Sequence, residues 1–127
     1  MNYVGIVLIS HSPKIVEGLK EIIRQVIMDV PIEIAGGTDE NEIGTSVEKI
    51  ITAITSADTG KGVLVFYDLG SARMNAEVAL EMLESTSAKI VNAPLIEGAY
   101  VAAVESNMGK DLEDVYEAVL KELKAAY

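Results

Sequence analysis

The chain has 127 residues, 50% of them hydrophobic and 24% charged, enough for one globular domain whose core needs neither metal nor disulfide. It holds no cysteine and one histidine, which excludes thiol chemistry, iron–sulfur clusters and zinc sites rich in cysteine or histidine. A net charge of −10, from 20 acidic and 10 basic residues, argues against nucleic-acid binding and suits either solubility alone or a partner with a basic face.

Residues 4–9 (VGIVLI) are short, apolar and β-branched, and predict a first strand. Beyond them Ile15, Val16, Leu19, Ile22, Ile23, Val26 and Ile27 recur at steps of three and four with charged residues between, predicting an amphipathic helix. Pro13 suits its first turn and Ser12 its N-cap. Residues 32–35 (IEIA) predict the second strand, and 43–57 a second helix buried through Val47, Ile50, Ile51 and Ile54. The third strand is 63–67 (VLVFY), followed by a helix over about 72–84 buried through Val78, Ala79, Met82 and Leu83. Residues 88–92 (AKIVN) predict the fourth strand. Residues 93–109 and 111–127 both read as helices, with Asp111 as N-cap of the latter and Asp114 three residues on.

Such alternation predicts an α/β fold, an open, mainly parallel four-stranded sheet of order 2-1-3-4 with helices on both faces. Linkers, repeats and low-complexity stretches are absent, so residues 1–127 read as a single domain. The N-terminus lacks the layout of a secretory signal and no apolar run is long enough to cross a bilayer, so a cytoplasmic protein is expected.

Ligands of such sheets bind beyond the carboxyl ends of the strands, where strand order reverses, here between strands one and three. Ser10, His11 and Ser12 follow the first strand; Gly36, Gly37, Thr38 and Asp39 the second; Asp68, Leu69, Gly70 and Ser71 the third. A neutral imidazole is a nucleophile near pH 7, its reference pKa being about 6.5, and can accept a phosphoryl group. It needs one ring nitrogen free and the other held, and Asp68 is the candidate holder. The acidic net charge favours the unreactive imidazolium, while nearby helix N-termini favour the neutral ring. Phosphate oxygens need donors, which the turns GGT, GTS and GSA offer as backbone amides, with hydroxyls from Thr38, Thr45 or Ser71.

Each residue also has a plainer role. A lone histidine is often a satisfied surface or core residue, and Asp68 could cap the helix after it. Gly37, Gly44 and Gly70 could serve tight turns alone, Thr45 and Ser46 could be simple caps, and Glu97 suits the N-terminus of a helix. Convergence on one rim is what favours chemistry. Nucleotide fingerprints are absent, the first strand is not followed by acidic residues as in a receiver domain, and neither Ser10 nor Ser71 lies in a G-x-S-x-G elbow. The first loop lacks a Ser/Thr-rich cradle for a flavin phosphate.

The segments GIVLISHSPKIVEGLKEII, IEIAGGTDENEIGTS, VLVFYDLGSARMNAE and NAPLIEGA together resemble the phosphotransferase subunits of bacterial dihydroxyacetone kinases, in the fold family of the mannose-type enzyme IIA domains. The resemblance is ordered block by block over nearly the whole chain. It implies a homodimer in which His11 is phosphorylated by the histidine phosphocarrier protein, itself charged from phosphoenolpyruvate. The group would pass to ADP held on a separate kinase subunit, for transfer to dihydroxyacetone on a third. By position it places Gly37 and Thr38 at the phosphate site, Asp68, Gly70 and Ser71 beside the imidazole, and Thr45 and Asn75 as further neighbours. No cofactor or metal is expected on this chain, and any Mg²⁺ would arrive with the partner's nucleotide. Longer members carry fused carrier-like modules, so a chain of this length is expected to depend on free carriers. The long tail that bears a swapped edge strand in mannose-type transport domains has no counterpart in these 127 residues, so the kinase-associated reading is expected over sugar uptake. Two alternatives stay open: a sugar-transport IIA component donating to a IIB domain, and a regulatory module that senses a small anion in the same crevice.

Overall fold

The computed structural model describes residues 2–84 and 86–126. In chain order these form β1 (Gly5–Ser10), α1 (Pro13–Arg24), β2 (Ile32–Gly36), α2 (Val47–Ala57), β3 (Val63–Tyr67), α3 (Gly70–Met82), β4 (Ala88–Ile90), α4 (Leu95–Asn107) and α5 (Leu112–Ala126). Tyr127, expected at the end of the last helix, lies outside the described residues. The four strands are all parallel, in the order β2-β1-β3-β4, as the alternation predicts. Among the described residues no helix is long and apolar enough to cross a membrane.

Alternation along β1 divides the core in two. Val4, Ile6 and Leu8 face one side with Leu64 and Phe66, where Val16, Leu19 and Ile23 of α1, Ala99 and Ala102 of α4 and Val115 of α5 cover them. Val7 and Ile9 face the other with Val63 and Val65, against Ile50 and Ile54 of α2 and Ala72, Ala76 and Ala79 of α3. A sheet covered on both faces explains why β1 and β3 read as continuous apolar runs.

The helices depart from expectation in informative ways. In α3 the buried stripe is Ala72, Ala76 and Ala79, whereas Val78 and Met82, expected inside, are 44% and 63% exposed. Small side chains let that helix lie close to the sheet, leaving the bulkier residues on the outer side. Likewise α1 buries Val16, Leu19 and Ile23 but exposes Ile15 and Ile22, and Val26, expected in the same helix, lies exposed beyond its end. The second helix starts at Val47 rather than residue 43, because Ser46 is extended and accepts a hydrogen bond from the Lys49 amide at 3.1 Å, a regular N-cap. Ser12 occupies the N-cap position of α1 with Pro13 at N1, yet its hydroxyl caps nothing. Asp111 accepts from the Asp114 amide at 3.0 Å, as its capping role predicts. The fourth strand is only three residues long.

Candidate functional site

The register builds the site. In β1 and β3, Ile9 lies beside Tyr67, so one further residue brings Ser10 level with Asp68. In β1 and β2, Ser10 lies beside Gly36. The turns after all three strands therefore meet at one end of the sheet, with β1 in the middle carrying His11.

Asp68 organises that meeting. Its Oδ1 lies 3.0 Å from His11 Nδ1 and accepts from the Leu69 amide at 2.7 Å. Its Oδ2 accepts from the Ser10 hydroxyl at 2.8 Å and the His11 amide at 3.0 Å. Burial alone would push the Asp68 carboxyl up; the hydrogen bonds from the His11 amide and ring, the Ser10 hydroxyl and the Leu69 amide outweigh it and hold the group below its ordinary 3.8. Asp68 is thus a carboxylate and accepts only, so the proton on the His11 ring must sit on Nδ1. Nε2 then presents its lone pair, 2.8 Å from Ser71 Oγ, and Ser71 donates to it. The imidazole side chain keeps 22% of its surface open to solvent.

The rest of the candidate set divides by geometry. Gly70 and Ser71 are the first two residues of α3, so helix geometry leaves their amides without intrahelical partners beside Nε2. Gly37 and Thr38 lie in the turn after β2, but their amides are already paired, Gly37 with the Ser10 carbonyl at 3.1 Å and Thr38 with the Glu42 carbonyl at 2.9 Å. The Thr38 hydroxyl accepts from the Glu42 amide at 3.2 Å and retains its own proton. The Gly44 amide donates to the His11 carbonyl at 2.9 Å, pinning the loop to the histidine's backbone. Gly37 needs its freedom here. Its φ is +77°, and a Cβ there would lie 2.7 Å from both the Glu42 carbonyl and Pro13 Cγ. Thr45 Oγ1 accepts from Asn75 Nδ2, tying the same loop to α3 one turn beyond Ser71.

Ser10 and Lys49 belong to this frame; the sequence places Ser10 beside His11 without giving it a role, and does not single out Lys49. Ser10 is fully buried and bridges Asp68 to the Ser12 amide, which donates to its hydroxyl at 3.0 Å. The available signal was parity, since Ser10 continues the inward face of Ile6 and Leu8 where an apolar residue is expected. Lys49 Nζ donates to the Gly36 carbonyl at 2.9 Å and to Asn41 Oδ1 at 2.6 Å, closing the loop after β2. Among the described residues no three acidic or imidazole groups gather as a metal site requires.

Fold and site define a class: an open parallel α/β domain whose rim presents one imidazole, oriented by a carboxylate, with a lone pair facing outward. A family model described as the PTS system fructose IIA component matches residues 5–116, and the chain belongs to this mannose-type IIA family. It is 42% identical over 97% of its length to the phosphotransferase subunit DhaM of the PTS-dependent dihydroxyacetone kinase of Lactococcus lactis, 98% of which is covered. It is 43% identical to the phosphoryl donor subunit DhaM of PEP-dependent dihydroxyacetone kinase 1 of Listeria innocua, over 86% of each chain. A crystal structure of a protein of unknown function, EF1359, superposes with a TM-score of 0.82 at 35% identity, over 94% of each chain.

Proposed function

We propose that the chain, acting as a single domain in the cytoplasm, is the phosphoryl donor of a PEP-dependent dihydroxyacetone kinase, a relay that carries a phosphoryl group on His11 from the histidine phosphocarrier protein to ADP on a partner subunit. The observation that carries the proposal is the His11 ring held through Nδ1 by Asp68, with Nε2 turned to the rim. The names of the relatives in Lactococcus lactis and Listeria innocua support the kinase pathway. The reading includes a homodimer, as the family resemblance implies.

In the mechanism, the Nε2 lone pair attacks the donor's phosphorus. The donor's P–N bond breaks, its electron pair returns to the donor imidazole, and an Nε2–P bond forms. Positive charge develops on the His11 ring, and Asp68 stabilises it while the proton stays on Nδ1. The Ser71 hydroxyl must leave Nε2 as the phosphorus arrives, and it then donates to a phosphoryl oxygen. The amides of Gly70 and Ser71, at the positive end of α3, receive the others. Gly37, Thr38 and Thr45 shape the rim, and Thr38 keeps a hydroxyl proton to donate. In the second half-reaction a β-phosphate oxygen of ADP attacks the phosphorus, and the Nε2–P electron pair returns to the ring.

The test is to phosphorylate the protein with phosphoenolpyruvate, enzyme I and the phosphocarrier, then add either the ADP-bearing kinase subunit or a sugar-specific IIB domain. Draining of an acid-labile adduct by the kinase subunit supports the proposal. Draining by IIB alone assigns the chain to sugar transport, and an adduct that persists in His11→Ala removes the histidine from the chemistry. Saturable phosphate binding that survives His11→Ala, with no adduct formed, assigns the chain to anion sensing.

A further inference from the structure

A phosphoryl group on Nε2 makes one mechanical demand of the rim. Ser71 Oγ lies 2.8 Å from Nε2, where the phosphorus must bond, so that contact is given up as the group arrives. Something else must then keep the first turn of α3, with its Gly70 and Ser71 amides, in place beside the ring. A misplacement of about 1 Å near a reacting centre can slow a reaction by about 100-fold. Ala72, Ala76 and Ala79 set how close α3 lies to the sheet, but apolar contacts are non-directional and do not fix its position along it.

Asn75 supplies a directional tie. It lies four residues after Ser71 on α3, so the two side chains share one face of the helix. Its Nδ2 donates to Thr45 Oγ1. Thr45 follows Gly44, whose amide donates to the His11 carbonyl at 2.9 Å. These contacts close a circuit: from the imidazole to Ser71, along one turn of α3 to Asn75, across to Thr45, and through Gly44 back to the backbone of His11. Among the described residues no other side-chain hydrogen bond joins the loop after β2 to α3. Because Asn75 donates, Thr45 keeps its own hydroxyl proton for the crevice.

Helix formation does not account for this residue. Asparagine is one of the poorer helix formers, because its side chain competes for backbone hydrogen bonds, yet Asn75 lies well inside α3, beside Ala76. A local rule broken in this way is expected where a position serves a site. We infer that Asn75 is a positioning residue for phosphoryl transfer, acting through Thr45 to hold the first turn of α3 against His11 once Ser71 has released Nε2. The inference rests on the relay reading.

The test measures initial rates of His11 phosphorylation for wild type, Asn75→Ala, Thr45→Val, Thr45→Ser and the double variant Asn75→Ala/Thr45→Val. The phosphocarrier is one donor and phosphoramidate, a small molecule, the other. Asn75→Ala should lower kcat roughly five-fold with both donors and leave KM for the phosphocarrier within about two-fold. Thr45→Val should lose at least as much, Thr45→Ser should recover most of that loss, and the double variant should be no slower than Thr45→Val alone. The urea midpoint of Asn75→Ala should hardly move, since alanine's helix propensity offsets the lost hydrogen bond. Unchanged rates in Asn75→Ala overturn the inference. So do multiplicative losses in the double variant, which would make the two residues independent, and so does a loss confined to the phosphocarrier and carried by KM, which would report a contact with the donor protein. A wild-type protein that accepts phosphate from neither donor defeats the relay reading itself.

Discussion

Replacing Asp68 by Asn keeps the shape of the side chain and removes its charge, which isolates what the carboxylate does for the imidazole. The two carboxylate oxygens accept four hydrogen bonds, from His11 Nδ1, the His11 amide, the Ser10 hydroxyl and the Leu69 amide. An asparagine has one oxygen and one NH₂ to offer. With its oxygen toward Nδ1, the NH₂ opposes the His11 amide, and a donor faces a donor. With the NH₂ toward Nδ1, the ring must accept there, the proton moves to Nε2, and the nucleophilic lone pair is lost. In either arrangement the charge that develops on the ring no longer meets a carboxylate. A hydrogen bond to a charged group contributes about 1.5–3 kcal/mol. At about 1.4 kcal/mol per ten-fold, phosphoryl transfer should slow roughly 10–100-fold in both directions. Rapid-quench mixing with phosphorylated carrier, followed by intact-mass measurement, gives the forward rate, and chasing with ADP-bearing kinase subunit gives the onward one. Circular dichroism should show a folded variant. Wild-type rates in both directions would refute the reasoning and reduce Asp68 to a structural residue.

Ser71→Ala removes the hydroxyl that faces Nε2. Its loss should shift the equilibrium of the phosphoryl group toward the carrier by roughly three- to ten-fold, read as the phosphorylated fraction at known carrier ratios. Ser46→Ala removes the cap of α2 and should lower stability by about 1 kcal/mol in a urea titration, without altering phosphoryl uptake per folded molecule. Because the Asp68 carboxyl is held below 3.8 in the folded protein, its contribution to stability is fully present above that value and is lost as pH falls through the lower, folded one. Urea titrations below pH 4 should therefore show a shallower acid loss in Asp68→Asn than in wild type.

Strand order, the parallel sheet and the meeting of His11 with Asp68 were all legible, because β-branched runs alternating with helical spacing admit few topologies and the register then dictates the neighbours. The family resemblance supported the same architecture independently. Misreadings arose where packing depends on size rather than hydrophobicity. The alanines Ala72, Ala76 and Ala79 form the buried stripe of α3, while the more apolar Val78 and Met82 face outward. Within the site, the glycine turn after β2 reads as a source of phosphate donors, yet the Gly37 and Thr38 amides are bonded to carbonyls that fix the loop. The Gly37 bond to Ser10 is a long-range property, between residues separated by α1 and β2, which no local pattern reveals, whereas the Thr38 bond to Glu42 closes a local turn. Ser10 illustrates the same point: the sequence places it in the loop after the first strand, and only the position of Asp68 explains why its hydroxyl is buried there.

The central claim is that Nε2 of His11 is the atom that carries the phosphoryl group, with Nδ1 protonated toward Asp68. Nitrogen-15 and phosphorus NMR of the protein phosphorylated by its carrier addresses it directly, since nitrogen–phosphorus coupling reports which ring atom is bonded. Coupling to Nε2 alone, with a proton retained on Nδ1, is the expected result; phosphorus bonded to Nδ1 or to any side chain other than His11 would contradict it.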